Sequence, residues 1–200
     1  MGKSRGVYKK NRLVFGVGIN DADYPVEPVV DGRKVKCPYY VTWKDMIGRC
    51  YSEKLQERRP TYIGCSACPD WLYFMNFRGW MSSQDWEGKA LDKDLLKGGN
   101  KVYSPSTCAF VDQTTNSFTN DRGRARGDYP TGVHMDKPTG KFQASCSNPF
   151  TKKRESLGYF HCPDQAHLAW KKRKHELACQ LAELQTDQRV AEALRTRYVE

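Results

Sequence analysis

The sequence predicts an α+β fold made of two small modules, and three patterns support this. Aromatic residues recur at helical spacing before residue 82, short β-prone runs alternate with turns between residues 88 and 116, and three further such runs precede a long amphipathic segment. A chain of 200 residues is long enough for one domain or for two small ones that share a modest core. We therefore expect modules at residues 37–119 and 129–178, joined by a linker at 120–128.

The composition indicates a polyanionic partner and argues against a membrane protein. The formal net charge is +10, the pI is about 9.2 and the mean hydropathy is -0.77. A charge this positive favours nucleic acid as the partner, and no apolar run is long enough to cross a bilayer. No secretory segment is recognisable, so a cytoplasmic protein is expected, in which the eight cysteines are thiols or metal ligands rather than disulfides.

Residues 1–36 are expected to form a basic arm followed by a connector. The first 15 residues carry five basic side chains and no acidic one, which is typical of an arm that contacts phosphates or merely aids solubility. Helical patterns begin at Pro38 and again at Pro69, and their aromatic residues predict the core of the first module rather than a base-stacking surface. These aromatic residues are Tyr40, Trp43 and Tyr51 in the first helix and Trp71, Phe74, Phe77 and Trp80 in the second.

The stretch from Gly88 to Asn116 predicts the order strand, loop, strand and helix. A short segment at 90–95 precedes a Gly-Gly-Asn turn, a β-prone run follows at 107–111, and Asp112 is placed to cap a short helix. Polar side chains thus stand at the ends of the elements, where carboxylate and amide oxygens suit a divalent cation such as Mg²⁺. The candidate ligands are Asp92, Asp94, Asn100 and Asn116.

This pattern, G-x-x-LD-K-D followed by GN-x-x-YSP-x-x-C, resembles that of the HNH homing-endonuclease-like proteins of tailed bacteriophages. The segments W-x-x-M-x-x-RCY and C-x-x-W-x-x-F ahead of it also match, so the resemblance covers residues 37–116. It implies a ββα fold around a metal ion that is used to cut DNA phosphodiesters, in a protein that acts in the host cytoplasm.

Carried over by position, the resemblance implies catalytic roles for Asp92, Lys93, Asp94 and Asn116. Asp92 matches the acidic residue that ends the first strand, and Asn116 matches the final asparagine beside the metal. Lys93 stands where the general-base histidine is usual, and Thr107 stands where a central asparagine is usual. Because the neighbouring Asp94 favours a charged ammonium over a basic amine, a DNA-binding protein without catalysis on the same scaffold is the alternative.

Four cysteines of the first module are candidates for a structural zinc site. Cys65 and Cys68 have the spacing with which two thiolates share a tetrahedral ion, and Cys37 and Cys50 would complete the set. Cys50, however, lies on the apolar face of its helix, where a cysteine behaves as a small hydrophobic residue. The sequence leaves both interpretations open.

The second module predicts a three-stranded antiparallel sheet packed on one helix. The strands are expected at Gly132–Asp136, Lys141–Ser147 and Arg154–Phe160, and the helix is expected to start at Pro163. Strict alternation places Val133, Met135, Phe142, Ala144 and Cys146 on the face under the helix and leaves the opposite face free to enter a groove of DNA.

This arrangement resembles the APETALA2/ethylene-response-factor type of DNA-binding domain, which phage HNH proteins often carry. The matches include Gly140-Lys141-Phe142 and Ala169-Trp170, but only Arg154 keeps the expected type on the exposed face, so the base preference does not transfer. Residues 121–174 contain twelve Lys or Arg against five Asp or Glu, as a DNA-binding segment would. The expected DNA contacts are Arg122, Arg124, Arg126, His134, Lys141, Lys152, Lys153 and Arg154.

Residues 179–200 are expected to continue as helix that packs back on the body or mediates self-association. The resemblance, together with the basic charge, implies an HNH-type endonuclease that binds duplex DNA and hydrolyses it with Mg²⁺. Alternatives are the DNA-binding protein without catalysis and, from another class, a small inhibitor whose basic surface binds an acidic host protein.

Overall fold

The computed structural model describes residues 13–120 and 128–199 of the chain. Within them the fold is mixed α+β, as the sequence predicts, with six α-helices and several small sheets. The helices are α1 (Pro38–Tyr51), α2 (Glu53–Arg58), α3 (Phe74–Ser82), α4 (Gln113–Thr119), α5 (Pro163–Ala182) and α6 (Gln188–Thr196). None of the helices in these residues is both long enough and apolar enough to span a membrane.

The strands are short in the first module and longer in the second. β1 (Val29–Val30) pairs with β2 (Arg33–Lys34), β3 (Ser66–Ala67) pairs in parallel with β5 (Val102–Tyr103), and β4 (Ala90–Asp92) pairs antiparallel with β6 (Ala109–Val111). β7 (Val133–Asp136), β8 (Lys141–Ser147) and β9 (Arg154–Phe160) form the predicted three-stranded antiparallel sheet in that order. The region expected to be a connector with a turn at Asp31-Gly32 contains a hairpin, β1–β2, around that turn.

Aromatic side chains from α1 and α3 form the first hydrophobic core, as the sequence predicts. Trp43, Phe74 and Phe77 are completely buried, and Trp71 is almost so. The buried indole of Trp43 donates through Nε1 to the carbonyl oxygen of Trp71 at 2.8 Å, which satisfies the one polar atom of that side chain.

The second helix starts later than Pro69 and Asp70 suggest. Residues Pro69–Leu72 form a 3₁₀ turn, and α3 begins at Phe74 after an extended Tyr73. The break exists because this segment bonds to the N-terminal region: Ile19 donates to the Leu72 carbonyl at 2.8 Å and accepts from the Phe74 amide at 3.0 Å. A pairing with residues so distant in sequence overrides the local helical signal.

A second core joins the first module to the end of the chain. Val111 and Phe118, from β6 and α4, pack in one cluster with Leu177 of α5 and with Val190 and Leu194 of α6. The C-terminal segment therefore packs back on the body, the first of the two expected arrangements. Lys174 of α5 strengthens this junction, because its ammonium donates to the Phe118 carbonyl at 2.7 Å and lies 3.4 Å from the centre of the Phe118 ring.

The sheet of the second module departs from strict alternation. A bulge lies between Ala144 and Ser145, so that Ala144, Ser145 and Cys146 are all buried in succession, whereas Met135 is 41% exposed. The predicted face assignment is therefore wrong for Ser145, where the irregularity in the β8–β9 pairing shifts the side-chain pattern. It is also wrong for Met135, although β7 pairs with β8 in regular register.

Candidate functional site

A cleft of about 480 Å³ lies where the antiparallel pair β4–β6, α4, the end of α1 and the segment after α6 meet. It brings together Asp92, Lys93, Asp94 and Asn116, the residues to which the sequence assigns catalysis. Of the candidate metal ligands, Asn100 is missing from the lining of the cleft.

Asp92 is the last residue of β4, and its carboxylate stabilises the turn that follows the strand. Its Oδ1 accepts hydrogen bonds from the amides of Asp94 at 2.8 Å and Leu95 at 2.7 Å, a local turn that aspartate forms readily. No hydrogen bond within the described residues occupies the second oxygen, Oδ2. Asp92 thus keeps one carboxylate oxygen for a ligand.

Lys93, at the predicted base position, is 5% exposed and donates two hydrogen bonds. Its ammonium donates to Oδ1 of Asp94 at 2.5 Å and to the carbonyl oxygen of Asn100 at 2.8 Å. Because the Asp94 side chain is 53% exposed, this ion pair is partly solvated and holds the Asp94 carboxylate at the mouth of the cleft.

Asn100 closes the loop between β4 and β5 instead of facing the cleft. Its amide nitrogen donates to the carbonyls of Lys93 at 3.1 Å and Val102 at 2.7 Å, and its Oδ1 accepts from the Val102 amide at 3.2 Å. Because its polar atoms make these bonds, the Asn100 side chain shapes the loop. Thr107 also bonds to the loop backbone, since its hydroxyl donates to the Val102 carbonyl at 2.6 Å.

Helix α4 places Asn116 in the cleft. Asp112 caps the helix, as predicted: its Oδ1 accepts from the Thr115 amide at 2.8 Å and its Oδ2 from the Thr115 hydroxyl at 2.7 Å. Although burial opposes it, hydrogen bonding from Thr115 holds the pKa of the Asp112 carboxyl below its ordinary value. One turn into the helix, the half-buried Asn116 lines the cleft, and its amide makes no side-chain hydrogen bond to any described residue.

Three arginines outside the predicted set of site residues complete the cleft. Arg49 of α1, Arg59 after α2 and Arg197 after α6 come from parts of the chain that are far apart in sequence. Arg197 is held by a hydrogen bond to the Thr119 carbonyl at 3.0 Å, whereas Arg59 is exposed and makes no ion pair within the described residues. Arg49 belongs to the W-x-x-M-x-x-RCY segment, but no sequence signal marks Arg197. Arg197 lies at the cleft only because α6 packs against the first module.

Arg49 is a deeply held cation. Burial lowers the pKa of its guanidinium, but the hydroxyl groups of Tyr103 and Tyr62 more than compensate and raise it above the ordinary value. The guanidinium carbon lies 5.7 Å from the centre of the Tyr62 ring, and Nη1 donates to the Leu91 carbonyl at 3.4 Å. The side chain is therefore fixed in position and charged.

The formal charge of the cleft is +2. Its lining contains four cationic side chains, those of Arg49, Arg59, Arg197 and Lys93, against the carboxylates of Asp92 and Asp94. Such a combination suits an anion bound alone or together with a metal ion better than it suits an isolated metal ion.

The four candidate zinc cysteines occupy different surroundings. Cys50 and Cys65 are buried, and burial, followed by the proximity of Cys65, raises the pKa of the Cys50 thiol to about 12. Cys37 instead lies with its sulfur 3.9 Å from the Tyr24 hydroxyl, and Cys68 is half-buried. Across residues 13–120 and 128–199, no three His, Cys, Asp or Glu side chains form a group that could hold a metal ion.

The predicted DNA contacts that the structure describes lie on two parts of the second module. Lys152 and Arg154 line a groove of about 690 Å³ between α4 and β8, where Lys152 approaches the Thr114 hydroxyl at 3.4 Å and Arg154 donates to the Ser145 hydroxyl at 2.9 Å. The exposed Lys153 follows Lys152 directly. His134 and Lys141 lie farther away, on the β7–β8 hairpin, and Arg122, Arg124 and Arg126 lie outside the described residues.

The comparisons with known proteins found no matching family model, no matching curated protein and no matching solved structure. Within residues 88–120 the structure contains the antiparallel pair of β4 and β6 followed by α4, and the segment predicted to be the loop contains an additional strand, β5, which pairs with β3. The side chains at the ends of these elements, together with the three arginines, define the candidate site.

Proposed function

We propose that the chain is a metal-dependent DNA endonuclease of the HNH type, which binds duplex DNA and hydrolyses a phosphodiester in the cleft. One observation carries the proposal: the carboxylates of Asp92 and Asp94 and the amide of Asn116 share a cleft with three arginines. Arginine suits a phosphodiester because its planar guanidinium donates two parallel hydrogen bonds to phosphate oxygens.

The oxygen atoms of the cleft fit a Mg²⁺ ion. In proteins this ion is commonly held by one or two carboxylates, with water and substrate phosphate as the remaining ligands. The second oxygen of Asp92 and the amide oxygen of Asn116 are the atoms that would hold it, with Asp94 beside them. A bound Mg²⁺ would polarise the phosphodiester and make an attacking water more acidic.

The arginines would position the DNA strand. Arg49, fixed between Tyr62 and Tyr103, would bind phosphate oxygens without losing side-chain freedom on binding. Arg197, held by its bond to the Thr119 carbonyl, would also bind phosphate oxygens, although it lies far from Arg49 in the sequence. The exposed Arg59 would be the more mobile contact. On the second module, Lys152 and Arg154 would contact phosphates farther along the duplex.

A DNA-binding protein without catalysis is the second candidate, and Lys93 favours it. The ammonium already donates to Asp94 and to the Asn100 carbonyl, so it supplies charge compensation rather than a basic lone pair. On this alternative the cleft would bind a phosphate and leave it intact, because no side chain would remove the proton of an attacking water.

A plasmid-nicking assay separates the two candidates. We expect the wild-type protein to nick supercoiled DNA in Mg²⁺ and not in chelator. Asp92→Asn keeps the oxygen that bonds to the backbone amides but removes the charge, and both it and Asn116→Ala should reduce the rate by at least a factor of about 10.

Asp21→Asn is the matched control, because Asp21 also accepts from a backbone amide, that of Met75 at 2.9 Å, but lies outside the cleft. Its rate should equal that of the wild type. If the wild-type protein binds DNA but nicks it under none of these conditions, the endonuclease proposal fails and the second candidate replaces it.

A further inference from the structure

A second groove, of about 430 Å³, lies on the first module between α1 and α2. It adjoins the cleft, since Arg49, Arg59 and Tyr62 line both. The two concavities therefore lie side by side, with these three side chains as their shared wall.

The groove is rich in basic side chains that have no ion-pair partner among the described residues. Lys44 of α1 and Lys54 and Arg58 of α2 are exposed at its edge, and within residues 13–120 and 128–199 none of them makes an ion pair or a side-chain hydrogen bond. Lys54 and Arg58 are four residues apart, so they extend from the same face of α2. Among the described lining residues Asp45 is the single acid, while Glu53 and Glu57 of α2 lie outside the lining.

Arg173 and Arg189, by contrast, are neutralised within the fold. Arg173 donates to both Glu155 and Glu176 at 2.8 Å, and Arg189 pairs with Asp187 at 2.7 Å. Cations that are already paired gain little from an added phosphate, whereas unpaired cations around a concave surface attract a polyanion. The α1–α2 groove therefore differs from these sites in kind, since its charge is available to a partner.

We infer that the groove between α1 and α2 holds the DNA strand on one side of the phosphodiester that occupies the cleft. Lys44, Lys54 and Arg58 contact successive phosphates there, and Arg49 and Arg59 connect them to the cleft. This inference rests on the proposed binding of DNA in the cleft, and it assigns the first module a backbone-binding surface separate from the sheet of the second module. Because such contacts release counterions from DNA, each should steepen the dependence of affinity on salt.

The test measures binding of the full chain to a fluorescein-labelled duplex of mixed sequence, in chelator, over a range of salt concentrations. The variant Lys44→Gln/Lys54→Gln/Arg58→Gln should reduce the slope of log affinity against log salt by about 2 to 3, because each lost phosphate contact removes about 0.9. The matched control, Arg33→Gln/Lys34→Gln/Lys36→Gln, removes three exposed cations at and just after the β1–β2 hairpin and should leave the slope unchanged.

Thermal unfolding followed by circular dichroism checks that both variants remain folded, and the single variant Arg58→Gln, expected to reduce the slope by about 1, provides a milder version of the test.

If the wild-type protein binds and nicks DNA but the groove variant keeps its slope, or if the control loses as much, the groove inference is overturned and the proposed function stands. If the slope falls as expected but Mg²⁺ supports no nicking, the groove stands and catalysis fails. If the wild-type protein does not bind the duplex, both are overturned.

Discussion

The two hydrophobic cores differ in how much of the chain each one needs. The first is aromatic, and its fully buried members, such as Trp43, Phe74 and Phe77, all precede residue 121. The second is mainly aliphatic and combines Val111 with Leu194, which is more than 80 residues later in the chain. The first core can therefore form from one contiguous part of the chain, whereas the second requires α6 to return to the first module.

The candidate cleft lies at the boundary between these cores. Tyr103 of its wall belongs to the first core, and Leu95 belongs to the second. Arg197 reaches the cleft only because Leu194, one helical turn earlier, is buried in the second core. The site thus depends on both cores, although its carboxylates are local to β4.

The largest expected effect comes from breaking the first core. Trp43→Ala removes a completely buried indole and its hydrogen bond to the Trp71 carbonyl, so the free energy of unfolding should fall by about 3–5 kcal/mol. Urea unfolding followed by circular dichroism measures this. Trp86→Ala, at a half-buried position, should cost clearly less, and equal losses would contradict the ranking of the two sites by burial.

Breaking the second core should have a slightly smaller effect on stability and a specific effect on the cleft. Leu194→Ala should lower the free energy of unfolding by about 3 kcal/mol, because Leu194 is completely buried in α6. It should also weaken binding to duplex DNA under conditions in which the protein is still folded, since Arg197 would no longer be held in place.

Leu184→Ala is the control, because Leu184 is 68% exposed and its truncation should change stability by less than about 0.5 kcal/mol. If Leu194→Ala destabilised the chain without any loss of DNA affinity, the cleft would not depend on the docking of α6.

Local patterns account well for the elements and poorly for the site. Turn residues and apolar alternation place β8 and β9 correctly, because hairpin signals act over a few residues. The burial of Ser145 could not be read in this way, since it follows from a bulge in the pairing with β9.

The residues of the cleft also divide into those that local sequence patterns mark and those that only the fold places there. Asp92 and Asn116 are marked by strand and helix ends, and both line the cleft. Asn100 belongs to the same motif but is used to close a loop, a role set by which backbone groups lie near it. Arg197 carries no local signal, because its place depends on the packing of α6 against distant residues.

The smallest expected effect concerns Asp112, which caps α4 at the boundary between the cores. Since hydrogen bonds hold its pKa below the ordinary value of 3.8, the charged carboxylate stabilises the folded state above that value. As the pH falls below about 4, the unfolded chain takes up the proton first, and this contribution is lost as the pH passes through the lower pKa of the folded state.

Asp112→Ala should cost about 1 kcal/mol at neutral pH through loss of the cap, whereas Asp112→Asn keeps an acceptor and should cost less. The measurement is urea unfolding of the three proteins at neutral pH and near pH 3. The stability difference between wild type and Asp112→Asn should shrink at the lower pH, and a difference that stayed constant would show that the charge of Asp112 contributes nothing to the cap.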